Sequence, residues 1–235
     1  MSLNINFYSS YKNFIEEPKP SLSHIPEEYK KMEKFYSSSP NTRTVKKCIP
    51  FLDSLTCGYI IPFPVDLHFR YDLEKQQAIF EINELIPEEI RGDFLVDVHN
   101  QNQISNELRY VHRTVEAIFK FSNPWLIETP PGYSCIFTQP FNRNFPFKII
   151  DGIVDTDSYN QIPVNFPFYW TNSVENTYIL KKGTPMVLVI PFKRDSWKMN
   201  IKIKKDVDEY KKKLNFFSKI YDNYRNNSWS KKVFR

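Results

Sequence analysis

Among the polar side chains in the stretch from Pro130 to Pro191 that can bind or move charge, Gln139, Asn142, Arg143, Asp155 and Asp157 stand together near turns. Arginine presents a planar fork of donors that suits a phosphate or a carboxylate. The amides of Gln139 and Asn142 can both donate and accept, and so can orient a bound group. Asp155 has the chemistry of a water-activating carboxylate. Aspartates at turns have a second use, which is to accept hydrogen bonds from nearby backbone and cap the turn. Both uses stay open for Asp155 and Asp157.

The elements that must position these groups are short and extended. Pro130-Pro131-Gly132 reads as a turn, because proline fixes φ and glycine accepts positive φ. Tyr133, Cys135 and Phe137 then alternate with Ser134, Ile136 and Thr138, the period of a strand. Pro140 and Pro146 bracket an irregular loop. The apolar run from Ile149 to Val154 is broken at Asp151-Gly152, and Asp155 to Ser158 is a polar turn. Ile162 to Trp170 reads as a strand. Lys181 to Pro185 is a tight turn before the fully apolar strand Met186 to Ile190, which belongs inside a sheet. Such punctuated segments predict a mainly β chain, a sandwich or small barrel.

The order of these blocks resembles the core of the dUTPase and dCTP deaminase superfamily. The matching residues are Pro130 to Tyr133, Gly152 to Tyr159 and the Lys181 to Pro185 turn with its apolar strand. It is closer still to a phage and bacterial family with blocks that read here Gln139 to Arg143, Gly152 to Asp157, Val164 to Pro167 and Lys182 to Pro185. The likeness covers about a quarter of the chain. It implies a dUTPase-like β-barrel or jelly roll, a homotrimer and a phage or viral source. By position it implies that Asp155 matches the aspartate near the attacking water, and that Tyr159 matches the tyrosine that stacks on the sugar. One extra residue separates the two here. The phosphate-binding block is reduced to Arg143, a glutamine expected in the fourth motif is replaced by Leu188, and no glycine follows Gly183. A triphosphate needs charge neutralised on every phosphate, so hydrolysis of the dUTPase type is not expected.

The 235 residues, 41% hydrophobic and 16% aromatic, suffice for one domain with extensions. Residues 1–45 read as an N-terminal arm, with a short helix at Pro26 to Phe35 and a linker-like tract at Ser37 to Asn41. The arm is aromatic enough to dock on its own barrel or on a neighbour. Residues 46–200 form the dUTPase-like β domain. Within it, Cys48 to Asp53 is an extended approach, Val65 to Phe69 and Ala78 to Leu85 are hairpin partners, and Ser105 to Phe121 is a short helix followed by a strand from Ala117. Residues 201–235 hold an amphipathic helix, with Val207, Tyr210, Leu214, Phe217, Tyr221 and Tyr224 on one seam, and a basic tail. That helix packs in cis or joins subunits.

The net charge of +5 is concentrated after Lys193, which suits a nucleotide or another acidic partner at the C-terminus. No apolar run is long enough to span a membrane. Three widely spaced cysteines point to reduced thiols in a cytoplasm, that of a host or a virion interior if the source is viral. His68, His99 and His112 are scattered. Asp97 and His99 share a strand face and resemble half of a metal site, or a surface hydrogen-bonded pair. No metal site and no cofactor are expected, since no P-loop, dinucleotide or nucleophile-elbow pattern occurs. Phe166, Phe168, Tyr169 and Trp170 suit a core, or base stacking.

Whether the chain is an enzyme stays undecided. Two readings remain. One is a non-catalytic binding or assembly protein, most naturally a trimer. The other is a nucleotide- or small-molecule-processing enzyme with an intersubunit pocket around Asp155 and Arg143. The second needs those two residues to line one pocket; the first expects them in satisfied turns, with apolar patches elsewhere.

Overall fold

The apolar run after Gly183 becomes the nine-residue strand Pro185–Lys193, whose residues Met186 to Val189 are all buried. The computed structural model describes residues 3–72, 74–75, 77–82, 96–99, 103–105, 113–175, 177–203, 211–213 and 222–235. In chain order their elements are β1 (Asn6–Tyr8), β2 (Lys19–Pro20), α1 (Glu27–Lys31), β3 (Phe35–Tyr36), β4 (Ser39–Arg43), α2 (Ile49–Thr56), β5 (Tyr59–Pro62), β6 (Leu67–Asp72), β7 (Gln77–Ile82), β8 (Val96–His99), β9 (Ile118–Phe121), β10 (Leu126–Glu128), β11 (Tyr133–Thr138), β12 (Phe147–Ile149), β13 (Gly152–Val154), β14 (Phe166–Trp170), β15 (Tyr178–Leu180), β16 (Pro185–Lys193) and α3 (Asn223–Asn227). A 3-10 turn at Ser21–His24 precedes α1.

The chain is mainly β. A five-stranded sheet runs β13-β11-β16-β5-β2, a four-stranded sheet β12-β14-β9-β8 and a three-stranded sheet β15-β6-β7; β1-β10 and β3-β4 are two-stranded. Among the described residues these sheets are open, and no closed barrel of the kind expected from sequence is formed. The main core joins the three larger sheets. Phe137 of β11 lies 5.7 Å from Phe166 of β14, Phe121 stacks on Phe168 at 3.7 Å, and Phe69 of β6 stacks on Trp170 at 3.7 Å. Aromatic rings bury the most area per residue, and they let short strands share one core. The cluster Phe166, Phe168, Tyr169 and Trp170 is therefore core: each is buried.

Several boundaries differ from those read in the sequence. Cys48 to Asp53 is not extended: α2 begins at Ile49 with Pro50 in its first turn, where a missing amide costs nothing. The tract Ser37 to Asn41 is not a linker but the turn and start of the β3–β4 hairpin. The helix at Pro26 stops at Lys31, and Met32 is already extended. Tyr29 is its buried anchor, stacked on Phe51 at 5.6 Å. The arm docks on its own chain, since β1 pairs with β10 and β2 with β5. Of the terminal seam, Val207, Tyr210, Leu214, Phe217 and Tyr221 lie outside the described residues, as do Leu108 and Val111; Tyr224 falls in α3. The strand expected near Ala117 is β9.

Gly58 shows how tightly α2 turns into β5. Its φ is +71°, and a Cβ there would sit 2.2 Å from the Val189 carbonyl oxygen. Gly132, at φ +84°, has nothing within 4 Å of the same position. Alanine at Gly132 meets only backbone strain, about 1–2 kcal/mol. Alanine at Gly58 must also displace the backbone of β16, so we expect a loss of about 3 kcal/mol or more. Urea unfolding of the two variants tests this; equal losses would contradict it.

Candidate functional site

The residues singled out in the sequence divide between the two ends of β11. At its start, the polar turn after β13 folds back on Pro130-Pro131-Gly132. The Asp155 carbonyl accepts from the amides of Ser158 and Tyr159, at 3.1 and 2.8 Å. Its carboxylate accepts from Ser134 Oγ at 2.6 Å. Asp157 Oδ2 accepts from the Gly132 amide at 2.8 Å. Over both lies Arg194, immediately after β16. Its guanidinium makes a bidentate pair with Asp157, Nη1 to Oδ1 at 2.9 Å and Nη2 to Oδ2. It lies 3.2 Å from Asp155 Oδ1 and donates to Ser134 Oγ at 3.1 Å.

This geometry fixes the protonation states. The hydrogen bond from Arg194, helped by the Gly132 amide, holds the Asp157 carboxyl down at about 2. Asp157 in turn raises Arg194 further above its ordinary value. A strongly paired carboxylate is a weak base, so Asp157 is poorly suited to take a proton from water. Beneath the turn, Thr156 is fully buried and shares a 2.7 Å hydrogen bond with Thr129. Thr156 also donates to Cys135 Sγ at 3.3 Å, and burial pushes that thiol up to about 11. Tyr159 is exposed at the rim of the turn.

At the other end of β11, residues 139–145 form the loop to β12. Gln139 Oε1 accepts from the Ile149 amide at 2.8 Å, and its Nε2 is buried without a partner. Asn142 adopts φ +55°, a conformation asparagine tolerates, and its Nδ2 donates to Ser54 Oγ of α2 at 2.7 Å. Arg143 is different in kind. Its Nε and Nη1 are buried with no hydrogen-bond partner among the described residues, and burial alone lowers its pKa. The guanidinium lines two cavities, of about 520 and 580 Å³.

Gln139, Asn142 and Arg143 are thus together, and Asp155 and Asp157 are together, but the groups are apart. From Ser134 to Gln139 the strand covers about 17 Å at its usual rise. Asp155 lines neither cavity that Arg143 lines. Sequence reasoning missed Arg194 and Ser134. The pairing of Tyr133 with Lys193 contains the signal, because it puts Arg194 opposite Gly132 and the turn. It also missed His24, whose buried Nε2 lacks a partner near Arg143.

The remaining candidates are engaged elsewhere. Asp97 pairs with Lys120 at 3.0 Å, and His99 Nδ1 meets Gln103 at 2.8 Å. In the basic tail, Lys232 pairs with Asp53 at 2.7 Å, and Tyr59 donates to the Arg235 carbonyl. No helix among the described residues is long and apolar enough to cross a membrane. No known family model and no curated protein matches the chain.

The Asp157 pair predicts a pH signature. A carboxyl held at about 2 when folded and near 4 when unfolded contributes stability above pH 4. That contribution is lost as pH falls from 4 to 2. Asp157→Asn should therefore lower the melting temperature at pH 7, and the gap to the parent should shrink below pH 4 and close near pH 2. A gap that stays constant across this range would show that the charge of Asp157 is not what stabilises the turn.

Proposed function

We propose that the chain is a non-catalytic binding and assembly protein, and that residues 195–203 are the arm through which its copies join. The observation that carries this is the exposure of Trp197, Met199, Ile201 and Ile203, at 91, 83, 87 and 91%. They alternate with Lys198, Asn200 and Lys202. Alternation of this kind is the pattern of a half-buried strand, and the segment follows directly on β16. Burying four such side chains is worth about 6–12 kcal/mol before the cost of association. The partner proposed is a second copy of the chain, in a trimer if the likeness to the dUTPase superfamily extends to its assembly.

The engagement of Asp155 and Asp157 with Arg194 supports the non-catalytic half of the proposal. The same blocks that carry the likeness fall on β11, β13, β14 and β16 and the turns between them, which is the basis for proposing a jelly-roll relative of phage or viral origin working in the cytoplasm of a host. A second reading, an enzyme of nucleotides or small molecules, is favoured by one observation: the unpartnered guanidinium of Arg143. Because Asp155 lies at the far end of β11, that enzyme would need a neighbouring subunit to bring the two together.

Native mass spectrometry and light scattering of the full chain test the assembly reading. The parent should be an oligomer, and the combined variant Trp197→Ser, Met199→Ser, Ile201→Ser and Ile203→Ser should be a folded monomer. A parent that is monomeric at micromolar concentration, or a variant that still assembles, defeats it. Deoxynucleoside triphosphates should leave the melting temperature unchanged; a clear rise favours the enzyme instead.

A further inference from the structure

The cavity of about 520 Å³ lies between the arm, α2 and the loop after β11. Its walls are largely apolar: Pro26, Met32, Val45, Phe51, Leu55 and Phe145. One cation reaches it, Arg143, which makes no hydrogen bond or ion pair with any described residue and whose Nε and Nη1 are buried. An unpaired buried charge is costly, and the cost is removed when an anion binds. We infer that this cavity is a binding site for a small amphiphilic monocarboxylate, its carboxylate on Arg143 and its aliphatic or aromatic body against the apolar walls.

Three features select that ligand class. An arginine nitrogen forms a short, charge-assisted hydrogen bond to a carboxylate, and Nη2 is the Arg143 nitrogen that protein does not bury. Among the described residues that line the cavity, Arg143 is the one Lys or Arg. His24 lines it too, but burial, and after that the nearby Arg143, lower its pKa, so the ring is neutral at pH 7. Its buried, unpartnered Nε2 adds a polar contact without a second charge. Glu28 also lines the cavity, and its carboxylate disfavours a ligand with two or more negative charges. Free phosphate and nucleotides are thereby selected against, while the volume lies in the range of small-molecule sites. The neighbouring cavity of about 580 Å³ is less suitable for an apolar body: its lining is largely polar, with Thr138, Gln139, Asn142, Asn144, Lys148 and Asp151.

The site is independent of the proposed assembly arm, which shares none of its residues. The loop that carries Arg143 is anchored without a ligand, by Gln139 to β12 and by Asn142 to Ser54 of α2. Pre-organisation of this kind lets binding proceed without ordering the loop first.

Titration calorimetry and thermal shift of the full chain, with octanoate and 3-phenylpropionate as probes, test the inference. Both should bind and raise the melting temperature. The neutral 1-octanol, inorganic phosphate and AMP should bind at least ten-fold more weakly. Arg143→Met should weaken octanoate at least ten-fold while leaving the unliganded melting temperature equal or higher, because it removes a charge that has no partner. A merely structural arginine would instead give a lower melting temperature. Val45→Asp, at an exposed wall position, should also weaken octanoate with Arg143 intact. The inference is overturned if 1-octanol binds as well as octanoate, if phosphate or AMP binds more tightly than both carboxylates, if no carboxylate binds, or if both variants bind octanoate like the parent.

Discussion

Strand β16 lies between two strands and is withdrawn from water on both faces over Met186 to Val189, and that constraint organises the chain. Every peptide group on a buried strand needs a partner. β11 satisfies one edge over Tyr133 to Thr138, and β5 satisfies the other over Tyr59 to Pro62. The partners then fix their own neighbours. β5 brings α2 and, through β2, the N-terminal arm. β11 brings the turn 155–158 to one end and the loop 139–145 to the other. Side chains that look adjacent in sequence blocks are therefore held a strand length apart.

The two ends of β11 treat charge in opposite ways. At one end, both Nη atoms of Arg194 meet acceptors on Asp157 and Ser134, while the Gly132 amide and Ser134 Oγ donate to the Asp157 and Asp155 carboxylates. Such a network fixes geometry: it clamps the exit of β16 to the entry of β11. At the other end, Nε and Nη1 of the Arg143 guanidinium are buried with no hydrogen-bond partner among the described residues. Buried polar groups are nearly always satisfied in folded chains. Arg143, like Gln139 and His24 beside it, departs from what stability alone favours, and such departures concentrate at places that bind something.

Much of this was legible in the residues. The alternation in Tyr133 to Thr138, the apolar run at Met186 to Ile190 and, from Leu67 onward, the hairpin arm read at Val65 to Phe69 all became strands, because period-two patterning and burial act locally. Cys48 to Asp53 misled because Pro50 reads as a strand breaker or a helix starter alike; only the packing of Leu55 decides. Of the candidate site, the polar turn and the loop were legible as turns. Their separation was not, since it depends on which edge of β11 each neighbour takes. Arg194 was hidden for the same reason: its partners lie 37 to 60 residues away, and no local spacing connects them. Closure of a barrel could not be read either, because it is a property of how sheet edges meet.

The C-terminal segment ends against α2, where Asp53 accepts from the Trp229 indole and Lys232, 176 residues distant in the first case. Phe234 also meets Tyr59 edge-on at 5.8 Å. A ribosome making the chain must add those residues before this contact exists, on the order of 10 to 35 s after α2 emerges. β5 waits nearly as long for β16. The early half of the nascent chain thus passes its synthesis with an open sheet edge and bare aromatics, conditions under which unfolded clients recruit chaperones.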